Sequence, residues 1–266
     1  MNRLLILITC LIFAGSLLAQ DWAKARLANS PRHQEWVELT QGTRKLKCFV
    51  VYPERKDKAT VVVLIHEIMG LTDWVMSVAD QLAEHGYIAI APDFVSGMAP
   101  NGGRTTDFED VGKVREAISG LPADQVTADL NAACDYGKKL PSANGKLVVG
   151  GFCWGGGQTF RFATNRTDLS ASLAFYGTGP TDPAAIAKIN APVYGFYGGN
   201  DNRVNATIPD SEKLMKEAKK KYEPVTYEGA GHGFMRAGEA PDASEAKKKA
   251  RDSAWKRILE ILKAIR

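Results

Sequence analysis

Short apolar runs alternate with amphipathic segments along most of this chain. The runs indicate buried strands at residues 61–65, 87–91, 146–150, 172–175, 191–198 and 224–227. Residues 73–85 predict a helix, because apolar residues recur there at helical spacing. The buried face of that helix consists of Val75, Val78, Ala79 and Leu82. Alternation of this kind is typical of a mostly parallel sheet that helices cover on both faces.

The two ends of this pattern differ from its middle. Residues 35–52 predict a β-hairpin that turns at Gln41-Gly42. The last helix has an apolar stripe formed by Trp255, Ile258, Leu259, Leu262 and Ile265. We expect the lysines at 247–249 on the solvated side of this helix. Because no repeat or linker interrupts the sequence, residues 20–266 predict a single α/β domain.

The first 19 residues have the features of a secretory signal peptide. Arg3 gives a short basic start, residues 4–18 are largely apolar, and Ala19 is a small residue suited to cleavage. Because the apolar run is shorter than a membrane span, we expect export to the periplasm or the exterior without stable membrane insertion. A lipid anchor at Cys10 is a weaker alternative, since too little apolar sequence precedes it.

Charge and cysteine usage narrow the function classes. The formal net charge of +4 is too small to argue for a nucleic acid partner or a membrane surface. Four histidines and four cysteines show no spacing typical of zinc sites, and the glycines at 155–157 fit no nucleotide-binding motif. We therefore expect neither a metal nor an organic cofactor. Cys48 and Cys134 either pair in an oxidising compartment or remain free thiols.

The most informative motif is Gly151-Phe152-Cys153-Trp154-Gly155, which follows the predicted strand at 146–150. A strand, a glycine-flanked nucleophile and a helix in this order are typical of the strained turn called a nucleophile elbow. Flanking glycines let neighbouring chain pass closely, and the start of a helix favours a thiolate. The alternative is a buried, unreactive cysteine in a glycine-rich loop.

An acid and a histidine complete the set of groups that such a nucleophile needs. Asp201 lies in a turn after the strand at 191–198, and His232 lies among glycines after the strand at 224–227. Nucleophile, acid and histidine therefore occur in the chain order of an elbow enzyme. We predict that His232 acts as general base and then general acid, and that Asp201 orients it.

The loop after the strand at 61–65 supplies a further element of this chemistry. Elbow enzymes bind the oxyanion with the N–H of the residue after the nucleophile and an N–H from such a loop. We therefore predict that the backbone N–H groups of Trp154 and Ile68 stabilise the oxyanion. His66 ends the strand, and we expect it to be structural.

Five short stretches carry a resemblance to a known family. They are Cys153 in Gly-Phe-Cys-Trp-Gly-Gly, Glu67 in His-Glu-Ile-Met-Gly, Pro92-Asp93-Phe94, Asp201 in Gly-Gly-Asn-Asp and His232 in Gly-His-Gly-Phe. From about Trp36 to the C-terminus, the chain resembles the dienelactone hydrolase family of α/β-hydrolases. The resemblance implies a three-layer fold and a Cys–Asp–His triad that hydrolyses esters and lactones through a thioester acyl-enzyme. It also makes Glu67 the partner of the resting thiol, the alternative being an ion pair with a nearby cation.

This sequence departs from the family pattern where the substrate would bind. The resemblance implies two arginines that hold a substrate carboxylate. Arg236 occupies the first position, four residues after His232, but the second position is Gly97. Arg104 lies farther along the same loop, which we expect to form a rim or lid over residues 96–106. The alternative for Arg236 and Arg104 is that both are solvated surface residues. Tyr176, after the strand at 172–175, is a further candidate for the pocket wall.

These observations predict an exported monomer that hydrolyses a small ester or lactone. A broad-specificity or polysaccharide-linked esterase on the same fold is the nearest alternative. A ligand-binding protein on a hydrolase scaffold is an alternative from another class, although the intact triad argues against it. A thiol-redox protein is weaker still, because no resolving cysteine lies close to Cys153 in sequence.

Overall fold

The computed structural model describes residues 20–265, so the predicted signal peptide at 1–19 lies outside the described residues. The strands are β1 (Gln34–Gln41), β2 (Arg44–Val51), β3 (Ala59–Ile65), β4 (Ile88–Pro92), β5 (Ala143–Phe152), β6 (Ala171–Phe175), β7 (Val193–Gly198) and β8 (Tyr222–Tyr227). The α-helices are α1 (Asp21–Ala28), α2 (Asp73–Glu84), α3 (Val111–Ser119), α4 (Ala123–Lys139), α5 (Trp154–Ala163), α6 (Pro183–Ile186), α7 (Asn202–Asn205), α8 (Ile208–Glu217), α9 (Phe234–Glu239) and α10 (Glu245–Ile265). Among these described helices, none has the length and apolarity needed to cross a membrane.

The strands form one sheet in the order β1-β2-β4-β3-β5-β6-β7-β8. Neighbours from β4 to β8 are parallel, whereas β1 pairs with β2 and β2 pairs with β4 in antiparallel register. The predicted hairpin therefore forms one edge of a mostly parallel sheet. Its strands join at Gln41 and Arg44, which confirms the predicted turn.

The central strands are buried on both faces, which explains their nearly continuous apolar sequences. Along β3, Val62 and Leu64 belong to one apolar cluster, whereas Val61, Val63 and Ile65 belong to another. Helices α1, α2 and α10 contribute to the first cluster, and α4 contributes to the second. Helices thus cover both faces, and the prediction of an α/β-hydrolase fold with three layers is confirmed.

Parallel pairing brings the carboxyl ends of the strands to one edge of the sheet. Open α/β sheets bind their ligands at that edge. Here β5 ends at Phe152, β7 at Gly198 and β8 at Tyr227, so the predicted nucleophile, acid and histidine follow neighbouring strand ends. The topology therefore gathers the three predicted groups although they are far apart in sequence.

Within residues 20–265, two cysteines lie outside the predicted site, and both are free thiols. Cys48 lies on β2 and Cys134 on α4, and both are fully buried in the same apolar cluster. Burial raises the pKa of both thiols, that of Cys134 to about 12. The structure therefore has Cys48 and Cys134 as buried thiols rather than as a disulfide.

A buried carboxylate on α2 ties the N-terminal segment to the domain. Asp80 is completely buried and accepts hydrogen bonds from Arg32 Nε at 2.8 Å and Arg32 Nη2 at 2.7 Å. Arg26 Nε donates to the same carboxylate at 3.2 Å, and the Ser30 hydroxyl also donates to it. Residues 26–32 are thereby attached to α2 through one charged group.

Removing the Asp80 carboxylate should destabilise the domain strongly. We expect Asp80→Ala to lower the free energy of unfolding by about 3 kcal/mol or more, because Arg32 would remain largely buried without its partner. Urea denaturation would measure the change. The control is Asp57→Ala, whose carboxylate is 88% exposed and pairs with Arg55, and should cost less than about 0.5 kcal/mol. Equal effects of the two substitutions would contradict this account of Asp80.

Candidate active site

Cys153 occupies a strained turn between β5 and α5. Its backbone angles are φ 58° and ψ −114°, in a region that residues other than glycine rarely adopt. A side chain at Gly151 would collide with the carbonyl group of Gly155, and a side chain at Gly155 would collide with the carbonyl oxygens of Ile65 and His66. The turn therefore requires glycine on both sides of the cysteine, and it leaves Cys153 only partly buried.

His232 and Asp201 form a direct hydrogen bond at the ends of β7 and β8. His232 Nδ1 donates to Asp201 Oδ2 at 2.5 Å. The other carboxylate oxygen, Oδ1, accepts from the backbone N–H of Val204 at 3.4 Å, since Asp201 caps α7. Asp201 is 6% exposed and His232 about one third exposed at the side chain. The acid is thus held inside the protein while the imidazole reaches the solvent edge.

Backbone hydrogen bonds fix the two loops that carry this pair. Gly199 N–H donates to Tyr227 O, and Asn200 N–H donates to Ala230 O, both at 2.8 Å. Asn205 Nδ2 also donates to Gly198 O at 2.8 Å. The loop after β7 is therefore tied to the end of β8 and to the loop that follows it, just before the acid and the histidine.

His232 is also the link between the acid and the nucleophile. Hydrogen bonds to Cys153 and to Asp201 raise the pKa of His232 to about 9, the interaction with Cys153 being the larger, although burial opposes the shift. Both partners stabilise the charged imidazolium, so the proton leaves only as the pH rises through about 9. The ring thus carries a proton at neutral pH while it is hydrogen-bonded to Asp201.

Glu67 pairs with Arg236. Arg236 Nε donates to Glu67 Oε2 at 2.8 Å, and Glu67 is only 3% exposed. Burial raises the pKa of the Glu67 carboxyl, and the neighbouring Arg236 opposes that shift. In this structure the partner of Glu67 is therefore Arg236 rather than the Cys153 thiol, which was the alternative left open by the sequence.

The residues of the two predicted oxyanion donors lie at the same pocket as Cys153. Ile68 and Trp154 both line the pocket at Cys153. Trp154 is the first residue of α5, so its N–H has no partner within the helix. Within residues 20–265, neither amide donates to another backbone carbonyl outside the regular elements. Both N–H groups are therefore available to a substrate oxygen.

Tyr176 closes the inner side of the site. It is fully buried, has a positive φ of 40°, and packs edge-on against the His232 ring at a centroid distance of 5.1 Å. Its hydroxyl has no hydrogen-bond partner among the described residues. Burial raises the pKa of this phenol well above its ordinary value. Tyr176 also lines the pocket, so the structure places it where the sequence suggested.

Arg104 lies against Trp36 instead of in the pocket. Its guanidinium stacks on the Trp36 ring at 4.1 Å. The next residue, Thr105, donates to Asp93 through its backbone N–H and its hydroxyl, at 2.9 and 2.8 Å. These bonds hold the predicted rim segment onto the end of β4. Neither Arg104 nor any other residue of 96–106 is among the described residues that line the pocket at Cys153.

His66 has the structural role expected of it. It is fully buried, its Nδ1–H donates to Glu67 O at 2.8 Å, and its Nε2 accepts from the N–H of Phe94 at 3.4 Å. Its ring stacks on Trp154 at 5.5 Å. Burial lowers the pKa of His66, so the ring is neutral and supports the loop that carries Glu67.

Comparison with known proteins assigns the chain to a family. The sequence profile of the dienelactone hydrolase family matches residues 46–266. The chain belongs to the dienelactone hydrolase family. It is 31% identical over 227 residues to a Salmonella typhimurium protein named provisionally as a carboxymethylenebutenolidase, covering 81% of each chain. An Escherichia coli protein with the same provisional name is 32% identical over 214 residues, covering 76% of each chain.

Solved structures show the same fold. A dienelactone hydrolase from Anabaena variabilis superposes with a TM-score of 0.63 at 20% identity, covering 84% of this chain and 96% of the other. A dienelactone hydrolase-like promiscuous phosphotriesterase from metagenomic libraries gives a TM-score of 0.75 at 21% identity, covering 88% and 98%. Together with the family assignment, these relatives make the protein a hydrolase.

The pocket of this hydrolase contains residues that the sequence did not single out. It has a volume of about 480 Å³ and is lined by Ile68, Cys153, Trp154, Gly157, Gln158, Arg161, Tyr176, Gly177, Thr178, Gly179, Pro180, Arg203 and Val204. Gly157, Gln158 and Arg161 follow Cys153 at helical spacing, so a helical projection from the nucleophile would have found them. Arg203 follows Asp201 by two residues, but no sequence pattern indicates the direction of its side chain.

The protonation of His232 can be measured directly. In the hydrolase, NMR titration of the imidazole C–H signals should give a midpoint near pH 9 for His232. We expect Cys153→Ala to lower that midpoint, because it removes the largest cause of the raised pKa. Cys134→Ala, which removes a buried thiol far from the pocket lining, should leave the midpoint unchanged. The same midpoint in the Cys153→Ala and unsubstituted proteins would contradict the assigned contact.

Proposed function

We propose that this hydrolase cleaves a carboxylic ester or lactone with Cys153 as nucleophile, Asp201 and His232 completing a triad. The observation that carries the proposal is the hydrogen bond from His232 to Asp201 beside the strained turn that presents Cys153. The interaction of the same imidazole with Cys153, which raises the pKa of His232, supports it. The strained turn supports it further, because a structural cysteine has no need of a positive φ. Neither a metal nor an organic cofactor is needed for this chemistry.

In the first half of the proposed reaction, a thioester forms. The Cys153 sulfur attacks the carbonyl carbon, and the electron pair of the C=O π bond moves to the carbonyl oxygen. The N–H groups of Ile68 and Trp154 donate hydrogen bonds to the resulting oxyanion. Collapse of this intermediate breaks the bond to the leaving oxygen. His232 donates its proton to that oxygen, and the acyl group remains on Cys153.

In the second half, water releases the acyl group. His232, now neutral, accepts a proton from a water molecule, and the hydroxyl attacks the thioester carbonyl. The C–S bond then breaks, the carboxylic acid leaves, and the Cys153 sulfur and the protonated His232 are regenerated. Asp201 keeps the imidazole in one orientation throughout and stabilises its charged form.

Glu67 has a proposed role that depends on Arg236. Resemblance to the family implies that Glu67 helps to deprotonate the thiol when substrate arrives. In this structure Arg236 holds the carboxylate, which is 4% exposed at the side chain. We therefore propose that substrate must displace the Arg236 contact before Glu67 can approach the thiol.

Burst kinetics with p-nitrophenyl acetate tests the covalent mechanism. We expect a burst of p-nitrophenol and an acetyl adduct in the intact mass, because acylation should precede hydrolysis of the thioester. Both signals should disappear in Cys153→Ala, with kcat/KM lower by a factor of about 1,000 or more.

Cys48→Ala supplies the matched control, since it removes a buried thiol that the mechanism does not use. This variant should keep both the burst and the adduct. A burst that survives Cys153→Ala would contradict the mechanism. If neither p-nitrophenyl acetate nor a lactone gives an adduct, the alternative of a ligand-binding protein on a hydrolase scaffold would replace it. Rates with neutral esters and with lactones would separate a broad esterase from a lactonase.

We also propose that the hydrolase is exported after cleavage behind Ala19. The sequence of residues 1–19 supports this proposal. So does the packing of the next residue, because Gln20 is only 9% exposed and its Oε1 accepts from Trp74 N–H at 2.7 Å. The first residue after the predicted cleavage point therefore already belongs to the folded domain.

Export can be tested by expressing the full chain in a bacterium with a periplasm. We expect the mature protein in the periplasmic or medium fraction, with an intact mass that places Gln20, free or cyclised to pyroglutamate, at its N-terminus. Leu7→Arg, which places a charge in the apolar run, should retain the full-length chain in the cytoplasm. Lys24→Ala is the control and should be processed normally. Uncleaved protein in the cytoplasm of the unsubstituted strain would contradict the proposal.

A further inference from the structure

Two arginines give the pocket at Cys153 a positively charged wall. Arg161 and Arg203 line it, and within residues 20–265 no carboxylate side chain does so. Two acids near these arginines in the chain or in space do not line the pocket: Asp201 binds His232, and Asp124 interacts with Arg161 from the start of α4. The part of the pocket wall that Arg161 and Arg203 form is therefore positive.

Arg161 is held in place by uncharged acceptors. Its Nε donates to Gln158 Oε1 at 2.8 Å, one terminal nitrogen donates to Thr127 Oγ1 at 2.9 Å, and the other donates to Ala123 O at 3.0 Å. A guanidinium has five N–H groups, so one hydrogen on each terminal nitrogen remains for a ligand. Burial of this cation lowers the pKa of Arg161, and Asp124 opposes the shift. A fixed, partly desolvated guanidinium without a bonded carboxylate is well suited to bind an anion.

The positions of the two arginines relative to Cys153 set the geometry. Arg161 follows Cys153 by eight residues on α5, a rise of about 12 Å along the helix axis. Helical side chains lean toward the N-terminus, which shortens this separation. Arg203 lies on α7, two residues after Asp201, and is exposed. The two side chains therefore reach the pocket from α5 and from the loop that carries the catalytic acid.

We propose that Arg161 and Arg203 form a subsite for a carboxylate at the far end of the ester substrate, several bonds from the carbonyl that meets Cys153. This inference rests on the proposed ester hydrolysis and names the substrate feature that the pocket selects. The subsite is distinct from the position of Arg236, which does not line the pocket and is engaged by Glu67. Gln158 is a positioning residue, since it orients the Arg161 guanidinium.

A pair of esters of equal chain length tests the subsite. We compare kcat/KM for the mono-p-nitrophenyl ester of adipate, which carries a carboxylate, with that for p-nitrophenyl hexanoate, which is neutral. The ratio should favour the anionic ester by about tenfold or more, as expected for charge-assisted hydrogen bonds. Arg161→Gln and Arg203→Gln should each lower this ratio several-fold, and added salt should lower it in the unsubstituted protein.

Two further variants separate charge, hydrogen-bond geometry and stability. Arg161→Lys keeps the charge without the planar fork and should give an intermediate ratio. Arg115→Gln removes an exposed cation on α3 that does not line the pocket, and should leave both rates and their ratio unchanged. Thermal unfolding of each variant identifies any loss of activity that results from lower stability, because Arg161 also donates hydrogen bonds to α4. A ratio unaffected by Arg161→Gln and Arg203→Gln, with ester hydrolysis intact, would overturn the subsite and leave the proposed function standing.

Binding of esters to an inactive variant tests whether the subsite exists without any need for turnover. In Cys153→Ala, isothermal titration calorimetry should show tighter binding of monomethyl adipate than of dimethyl adipate. The additional change Arg161→Gln should remove most of that preference. If no ester is hydrolysed and no acyl-enzyme forms, the proposed function fails, yet this comparison still supports or overturns the anion site. Equal binding of the two adipates would overturn it.

Discussion

The tight turn at Cys153 is the constraint on which the rest of the site depends. A residue other than glycine at this φ costs about 1–3 kcal/mol, so surrounding contacts must hold it in place. Cys153 N–H donates to Phe175 O at 3.0 Å, and Gly156 N–H donates to Cys153 O at the same distance. Strand β5 before the turn is paired on both sides, with β3 and β6. Cys153, the proposed nucleophile, therefore follows a strand that is held from both sides.

A second strained residue lies beside the first. Tyr176 follows the end of β6, has a positive φ, and donates its backbone N–H to Phe196 O at 2.8 Å. Its ring packs against both His232 and Phe234. Positive φ angles thus occur at the ends of two adjacent strands, where the backbone turns the side chains toward one pocket. Two of the four non-glycine residues with positive φ among the described residues, Cys153 and Tyr176, thus lie where the groups of the proposed reaction meet.

Much of the fold and the positions of the three proposed catalytic residues could be predicted from sequence because local patterns encode them. Apolar runs predicted β3 to β8, and glycine on both sides of Cys153 predicted a turn that the structure explains by close backbone contacts. Asp201 and His232 could be placed because each follows a strand in a short, glycine-rich turn. These features depend on residues that are neighbours in the chain.

The remaining features depend on residues that are distant in the chain. Glu67 and Arg236 are separated by 169 positions, so only the tertiary fold brings them together. Arg104 lies one residue before the Thr105 anchor, and its side chain stacks on a tryptophan of β1. Sequence spacing along a loop gives no information about such a stacking partner. The position of Arg203 in the pocket wall could not be predicted either, because no sequence pattern indicates the direction in which an exposed side chain points.

The charges of the site are arranged in two zones. In the inner zone each charge has a partner: Glu67 binds Arg236, and His232 contacts both Asp201 and Cys153. Pairing there limits the cost of burying ionised groups and keeps the net field near the nucleophile small. In the outer zone Arg161 has only uncharged hydrogen-bond acceptors, and its field is not neutralised by a bonded acid. An anionic substrate would therefore gain most of its electrostatic binding energy from the outer zone. The inner zone, in which the charges are paired, would instead stabilise the charge that develops on the reacting carbonyl.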